Sequence, residues 1–374
     1  MAQALYRKYR PQKLDDVLGQ ETNVEILKNA AKAGRLGQAY IFYGARGTGK
    51  TTTARLIAKL LNCEKRRTDP EFAQLGEPCN ECRECLAIDA QNSFDVIEID
   101  AASNRGIDEI RNLKENIRTS PASAEHKVYI IDEAHMLTGA AFNALLKTLE
   151  EPPKHAVIIL ATTEFEKLPP TITSRAQRFV FKKLPKATIM EKLTSIAKKE
   201  KIKIDEAAIE LIAAAAEGSF RDAESLLDQI SSLGSATGAG AKGITLADAE
   251  RVTGRTGLKK VHELATFIIK NNIKEALGYL NELNEDGHNL VQFNKDLIHY
   301  LRKILSLKMN PSLKTVMERD LTRDEVAGAI ALGDIADTAA LVTIIKALIR
   351  AYAEMRYSPF AIVPLEVALV EQLS

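Results

Sequence analysis

Gly44-Ala45-Arg46-Gly47-Thr48-Gly49-Lys50-Thr51 has the full spacing of a phosphate-binding loop. Glycines at those positions let consecutive backbone N–H groups curl around an anion, and a helix opening directly behind the loop adds the favourable end of its dipole. Both contexts are present: the apolar run Ala39–Tyr43 reads as a buried strand, and the segment from Thr52 to Leu61 has helical spacing. The predicted chemistry is capture of a nucleoside triphosphate, with Lys50 on the β- and γ-phosphates and the Thr51 hydroxyl on Mg²⁺. A second apolar run, Val128–Ile131, ends in Asp132-Glu133. Successive strand residues face opposite sides, but the chain turns at a strand's end, so both carboxylates are expected at the nucleotide. Asp132 would hold the Mg²⁺, mainly through water, and Glu133 would act as general base on an attacking water.

All four cysteines, Cys63, Cys79, Cys82 and Cys85, fall between the P-loop helix and the next strand, three of them spaced C-x2-C-x2-C. In a reducing compartment, clustered thiols bind metal more often than they form disulfides. Four thiolates suit a tetrahedral Zn²⁺ with no open position, which is a structural site. An iron–sulfur cluster is the rival, because C-x2-C-x2-C opens a ferredoxin run, although the C-x3-C-P element that completes it is missing. The insert is too poor in apolar residues to build a core, so ligation would supply much of its folding energy.

These groups need elements to hold them. Apolar runs at Ala39–Tyr43, Val96–Ile99, Val128–Ile131 and Ala156–Ala161 alternate with helical patterns. That predicts an α/β domain over 1–180, a parallel sheet with helices on both faces. Beyond Phe181 the strand signal fades. Asp205–Glu217 and Phe220–Leu233 carry apolar residues at helical spacing, so a small helical domain is expected over 181–234. Gly234–Gly243 (GSATGAGAKG) reads as a flexible hinge, and Thr245 with Asp248 fits a capping box. Helix then follows helix, giving an all-α domain over 244–374.

The 51 Lys and Arg balance 50 Asp and Glu, so nucleic acid would have to be held by a local basic patch, not by a global field. No apolar run approaches the roughly 18 residues that cross a bilayer. Met1–Leu14 is basic without the apolar stretch of a signal peptide. The expectation is a cytoplasmic protein with no membrane partner.

Tyr6-Arg7-Lys8-Tyr9-Arg10-Pro11 with Val17-Leu18-Gly19-Gln20, then GARGTGKT, IIDEAHML, LLKTLEEPP, LATT and SRA, keep a recognisable order and spacing. In these motifs the chain resembles the gamma/tau subunits of the bacterial DNA polymerase III clamp loader, an AAA+ ATPase family. The resemblance runs over essentially the whole chain and is most specific before the hinge. It implies an α/β P-loop AAA+ domain, a helical lid and an all-α collar that oligomerises loader subunits. It further implies an ATP-hydrolysing motor that works with other loader subunits, a sliding clamp and primer–template DNA.

Particular residues take roles from the same resemblance. Tyr6, Arg7, Pro11, Val17 and Leu18 would cup the base or ribose, and Thr52 would join the loop at the phosphates. Thr163 corresponds to a first sensor of the γ-phosphate, and Arg221 to a second sensor projecting from the lid. Arg175, in Ser174-Arg175-Ala176, matches an arginine finger acting in trans on the ATP of a neighbour. The family usually has Cys where Ala176 stands, which leaves the finger intact. Zinc is what the resemblance implies for the four cysteines. Asn104, Arg105 and Arg111 would face the DNA backbone, with Gly106 where some relatives carry lysine, and Lys147 would relay DNA binding to Glu133.

Three other readings fit less well. A branch-migration or initiator ATPase of the same class would lack the cysteine insert and LLKTLEEPP. A structural loader subunit that does not hydrolyse ATP would show a degenerate P-loop, whereas Lys50, Thr51, Asp132 and Glu133 are all present. A zinc-dependent nucleic-acid module would be an unusually long chain for a single metal knuckle.

Overall fold

The computed structural model describes residues 3–103, 115–236, 243–254, 257–317 and 323–373. Asn104, Arg105 and Arg111, read as DNA contacts, lie outside the described residues. The chain divides into two compact units, Met1–Leu184 with Gly218–Asp222, and Pro185–Glu217 with Ala223–Ser374.

In the first unit five strands, β1 (Ala39–Gly44), β2 (Val96–Asp100), β3 (Lys127–Asp132), β4 (Ala156–Thr162) and β5 (Gln177–Phe181), form one sheet in the order β2-β3-β4-β1-β5. Every pairing is parallel. Central strands of such a sheet are covered on both faces and therefore read as unbroken apolar runs, which is why β1, β3 and β4 coincide with the expected strands. β5 was not expected. It lies at the edge, with only Phe179 and Phe181 buried and Gln177, Arg178 and Val180 exposed, so its sequence carries no continuous run.

Alternation of side chains splits the core into two layers. One face of the sheet packs Tyr40, Phe42, Ile130 and Ile159 against Leu27 of helix Glu21–Lys32 and Ala54, Ile57 and Ala58 of helix Lys50–Asn62. The other packs Ile41, Tyr129, Ile131, Ile158 and Leu160 against Phe142, Leu145 and Leu149 of helix Gly139–Glu150. Each Leu, Ile or Phe among them stabilises the fold by about 1.5–3 kcal/mol when fully buried. Asp95, buried just ahead of β2, accepts N–H bonds from Ala122, Ser123 and Ala124 at 2.7, 2.7 and 2.8 Å. Burial pushes its carboxyl upward, but these donors outweigh that and hold it below the usual carboxylate range.

Register decides where the loops emerge. Tyr43 is level with Thr162, and Ile131 with Leu160. The carboxyl ends of β1, β3 and β4 therefore open together, where an open α/β sheet binds its ligand.

The second unit is helical. Helices Lys186–Lys199, Glu206–Ala215 and Phe220–Ala236 are followed by Leu246–Thr253, whose capping box closes as expected. There Thr245 N–H donates to Asp248 Oδ2 at 3.0 Å and Asp248 N–H to Thr245 Oγ1 at 3.4 Å. The third of these helices continues through Ala236, so Gly234 and Ser235 are helical and not part of a hinge. An apolar register outlasts one tolerated glycine. The remaining helices pack around Leu264, Phe293, Leu297, Ile304, Leu348 and Leu369. Among the described residues no single helix is long and apolar enough to cross a membrane.

Candidate nucleotide site and cysteine cluster

β1 ends at Gly44, where a Cβ would lie 2.1 Å from the Phe181 carbonyl oxygen, so only glycine lets β1 run this close to β5. Gly49 adopts a left-handed conformation (φ 103°) and starts the helix at Lys50, two residues before the sequence pattern begins. At Gly47 a Cβ would lie 1.8 Å from Ser219 Oγ, and the Gly47 carbonyl accepts the Phe220 N–H at 3.1 Å. The loop and the segment Gly218–Asp222 are thus in backbone contact, which brings Arg221 to the site. Lys50 is buried and donates to the carbonyls of Gly44 and Ala45 at 3.0 and 2.8 Å. Burial holds its ammonium below its ordinary value, with Glu133 and Asp132 pulling the other way.

The acidic pair sits against the loop. Thr51 Oγ1 donates to Asp132 Oδ2 at 2.8 Å, which sets two hard oxygen donors side by side, as a Mg²⁺ site requires. Glu133 has φ +47°, left-handed and unusual for a non-glycine residue. That turn is what directs the second carboxylate toward the end of β4, where Thr163 Oγ1 donates to Glu133 Oε2 at 3.1 Å. His135 joins the group, with Nδ1 3.5 Å from Glu133 Oε2 and 3.0 Å from Thr162 Oγ1. Its Nε2 lies 3.1 Å from Glu164, which pairs with Lys167 at 2.8 Å. Sequence reasoning missed His135, since a histidine two residues after an acid carries no period or spacing of its own.

The N-terminal segment flanks the loop. Val17 is buried with Cγ1 3.6 Å from where a Gly49 Cβ would be, while Leu18 is 41% exposed. The guanidiniums of Arg221 and Arg7 lie 5.4 and 5.7 Å from the Tyr6 ring centre. Burial holds Arg10 below its ordinary value, and Arg55, Arg221 and Arg7 add to the effect against an opposing Glu98. Arg55 is itself paired with Glu98, through Nε at 2.8 Å and Nη2 at 2.9 Å. Pro11 and Thr52 are half-buried nearby in sequence, and Arg46 is exposed at the loop's tip. Arg175 is exposed and lies elsewhere, held by Glu150 and by the carbonyl of Thr171 at 2.6 Å.

The four cysteine sulfurs all lie within 4.8 Å of one another. A hydrogen bond from the Cys85 thiol holds Cys63 down at about 4, and the same bond together with burial pushes Cys85 up. Thiolates this close repel one another, and a dication between them would let all four ionise. Cys63 ends the P-loop helix and Cys82 opens helix Arg83–Asp89. Lys59, 1% exposed, donates to Gln12, Asn80 and Asp89 at 2.6, 3.0 and 2.5 Å. Stripping such a buried ammonium of its partners costs on the order of 3–5 kcal/mol.

Comparison with known proteins gives one consistent result. Residues 19–185 match the family described as "DNA polymerase III, delta subunit". Residues 188–236 match "DNA polymerase III clamp loader subunit, ATPase lid domain", and 244–373 match "DNA polymerase III subunits gamma and tau domain III". The Bacillus subtilis DNA polymerase III subunit tau is 42% identical over 372 residues, 99% of this chain and 63% of that one. The Escherichia coli subunit tau is 39% identical over 310 residues, 83% of this chain and 46% of that one. The Buchnera aphidicola subunit gamma is 38% identical over 311 residues, 83% of this chain and 82% of that one. The chain thus spans about half to two thirds of the tau relatives. Similarity at this level along every segment, including four fifths of the gamma subunit, places the chain in the gamma/tau family of DNA polymerase III clamp-loader subunits.

Proposed function

We propose that the chain is an ATP-hydrolysing motor subunit of a clamp loader within the DNA polymerase III holoenzyme. The observation that carries this is the contact chain Lys50–Thr51–Asp132–Glu133–Thr163 at one end of the sheet, with Arg221 brought alongside by Gly47. Lys50 exchanges two loop carbonyls for β- and γ-phosphate oxygens. Thr51 and Asp132 hold Mg²⁺, which supplies charge neutralisation on those oxygens. Glu133, fixed by Thr163 and His135, accepts the proton of the attacking water, and Arg221 stabilises the γ-phosphate. Tyr6, Arg7, Pro11, Val17 and Leu18 hold the base and ribose. Arg175 serves the site of a neighbouring subunit, so full activity belongs to an oligomer whose collar is 244–374, beyond the α/β domain 1–180 and the lid 181–234.

The four thiolates hold a structural Zn²⁺ that folds the insert 63–85. Sliding clamp and primer–template DNA are the partners, with the DNA backbone met by Asn104, Arg105 and Arg111, and the work is cytoplasmic. An intact P-loop with both acids favours this over a non-hydrolysing structural subunit. The test is steady-state ATP hydrolysis of the chain reconstituted with its loader partners, with and without clamp and primed DNA. Stimulation by clamp plus primed DNA is expected. Hydrolysis indifferent to both would leave a generic AAA+ ATPase.

A further inference from the structure

The cysteine insert does more than fold itself. Glu77, two residues ahead of Cys79 and 7% exposed, turns both carboxylate oxygens onto the N-terminal segment. Its Oε2 accepts the Leu14 N–H at 2.7 Å and its Oε1 the Asp15 N–H at 3.1 Å. Lys28 completes the joint, 3.2 Å from Glu77 and 2.7 Å from Asp15. A second joint lies beside it: buried Lys59, on the P-loop helix, binds Gln12 of the N-terminal segment, Asn80 between two of the cysteines, and Asp89 at once. Asn80 itself stands in the left-handed region (φ 62°), a conformation that depends on the turn between Cys79 and Cys82.

The residues so held, 12–15, lead directly into Val17, which packs at Gly49 of the P-loop, and into exposed Leu18. Neither Glu77 nor Lys59 is among the phosphate-loop or acidic groups. Both are positioning residues, one on the insert and one on the helix that the insert extends.

We infer that the metal-bound insert is a clamp that orders the base-binding N-terminal segment, so that metal occupancy sets nucleotide affinity through Glu77 and Lys59. This rests on the reading that Val17 and Leu18 contact the base or ribose. A clamp of this kind acts on the nucleoside half of the ligand and leaves the phosphate half untouched, and that asymmetry is its signature.

The test measures direct binding of ATP and of inorganic tripolyphosphate to the full chain. Three samples are compared: the parent, Glu77→Gln, and parent stripped of zinc with a thiol-specific displacer and then reloaded. In both altered states ATP is expected to bind about fivefold or more weakly, with tripolyphosphate unchanged and reloading restoring the parent value. Glu77→Gln is expected to keep its zinc. Equal weakening of both ligands, or ATP affinity within about twofold of the parent in both states, overturns the inference. Val17→Ser separates it from the reading beneath. If that variant binds ATP normally, the base-contact reading fails and takes the clamp with it. If it binds weakly while Glu77→Gln does not, the clamp alone fails. Should Glu77→Gln not fold, trypsin cleavage after Lys13 in the parent decides: faster cleavage on stripping supports the clamp, and an unchanged rate overturns it.

Discussion

Arg175 and Glu150 form a one-oxygen fork, with Nε and Nη2 at 2.9 and 2.7 Å from the same Oε1. Both side chains are partly exposed, so the pair contributes less than about 1 kcal/mol to stability. On the proposed reading of Arg175 as a finger, the pair would serve to aim the guanidinium from the end of helix Gly139–Glu150. Arg175→Ala is therefore expected to leave the unfolding free energy within about 1 kcal/mol of the parent. In the assembled loader the same change is expected to lower hydrolysis on the order of 10³-fold. Denaturation and steady-state assays on the same sample check this, and a large stability loss would make Arg175 a structural residue.

Glu133→Gln keeps the shape of the site and removes the proton acceptor. ATP binding is expected to persist while single-turnover hydrolysis falls on the order of 10²–10⁴-fold. Thr163→Val removes only the hydroxyl that holds Glu133, so a smaller loss, about tenfold in rate with little change in binding, is expected. A variant losing ATP binding and rate in parallel would contradict the assignment of Glu133 to chemistry.

Asp95 gives the fold an acid-sensitive joint. Its carboxyl is held below the ordinary value, so its contribution is complete above about pH 4 and is lost as pH falls through the lower folded value. Asp95→Asn keeps one acceptor for three N–H groups and is expected to cost about 2 kcal/mol at neutral pH. Below pH 4 the difference from the parent should shrink. A gap that stays constant from pH 7 to pH 3 would show that the carboxylate charge is not what matters.

On the proposed reading of the four cysteines as a closed zinc site, Cys82→Ser removes one ligand. Bound zinc is expected to drop below stoichiometric, and the melting temperature to fall by about 4 °C or more. Metal analysis and calorimetry test this, and an unchanged melting point in zinc-free protein would deny the metal a folding role.

Motifs that must match a phosphate were legible because their chemistry fixes residue type and spacing within one short stretch. Gly44 to Thr51 met that demand. Asp132 was legible because a buried strand announces its own end. The Glu133 turn was anticipated only as a change of direction, and its left-handed backbone belongs to the folded chain. His135, Glu77 and Lys59 were invisible for one reason. Each acts by touching residues distant in sequence, Thr162, Leu14 and Gln12 among them, and no local pattern marks such contacts. β5 was missed because an edge strand needs only two inward aromatics to dock.

The sheet also dictates a schedule for synthesis. Ala39 of β1 pairs with Ile158 of β4 and Tyr40 with Gln177 of β5, so β1, an interior strand, leaves the ribosome long before either neighbour exists. Parallel pairings at such separation form late and leave apolar surface waiting. The cysteine cluster, read as a zinc site, is the opposite case, since its residues span only Cys63 to Cys85 and are translated within that wait. Metal capture is therefore expected to be an early nascent-chain event that fixes the end of the P-loop helix before its sheet is complete. Pulsed thiol labelling of stalled nascent chains would detect it: protection of the four cysteines before residue 156 is synthesised supports that order, and protection only after residue 181 reverses it.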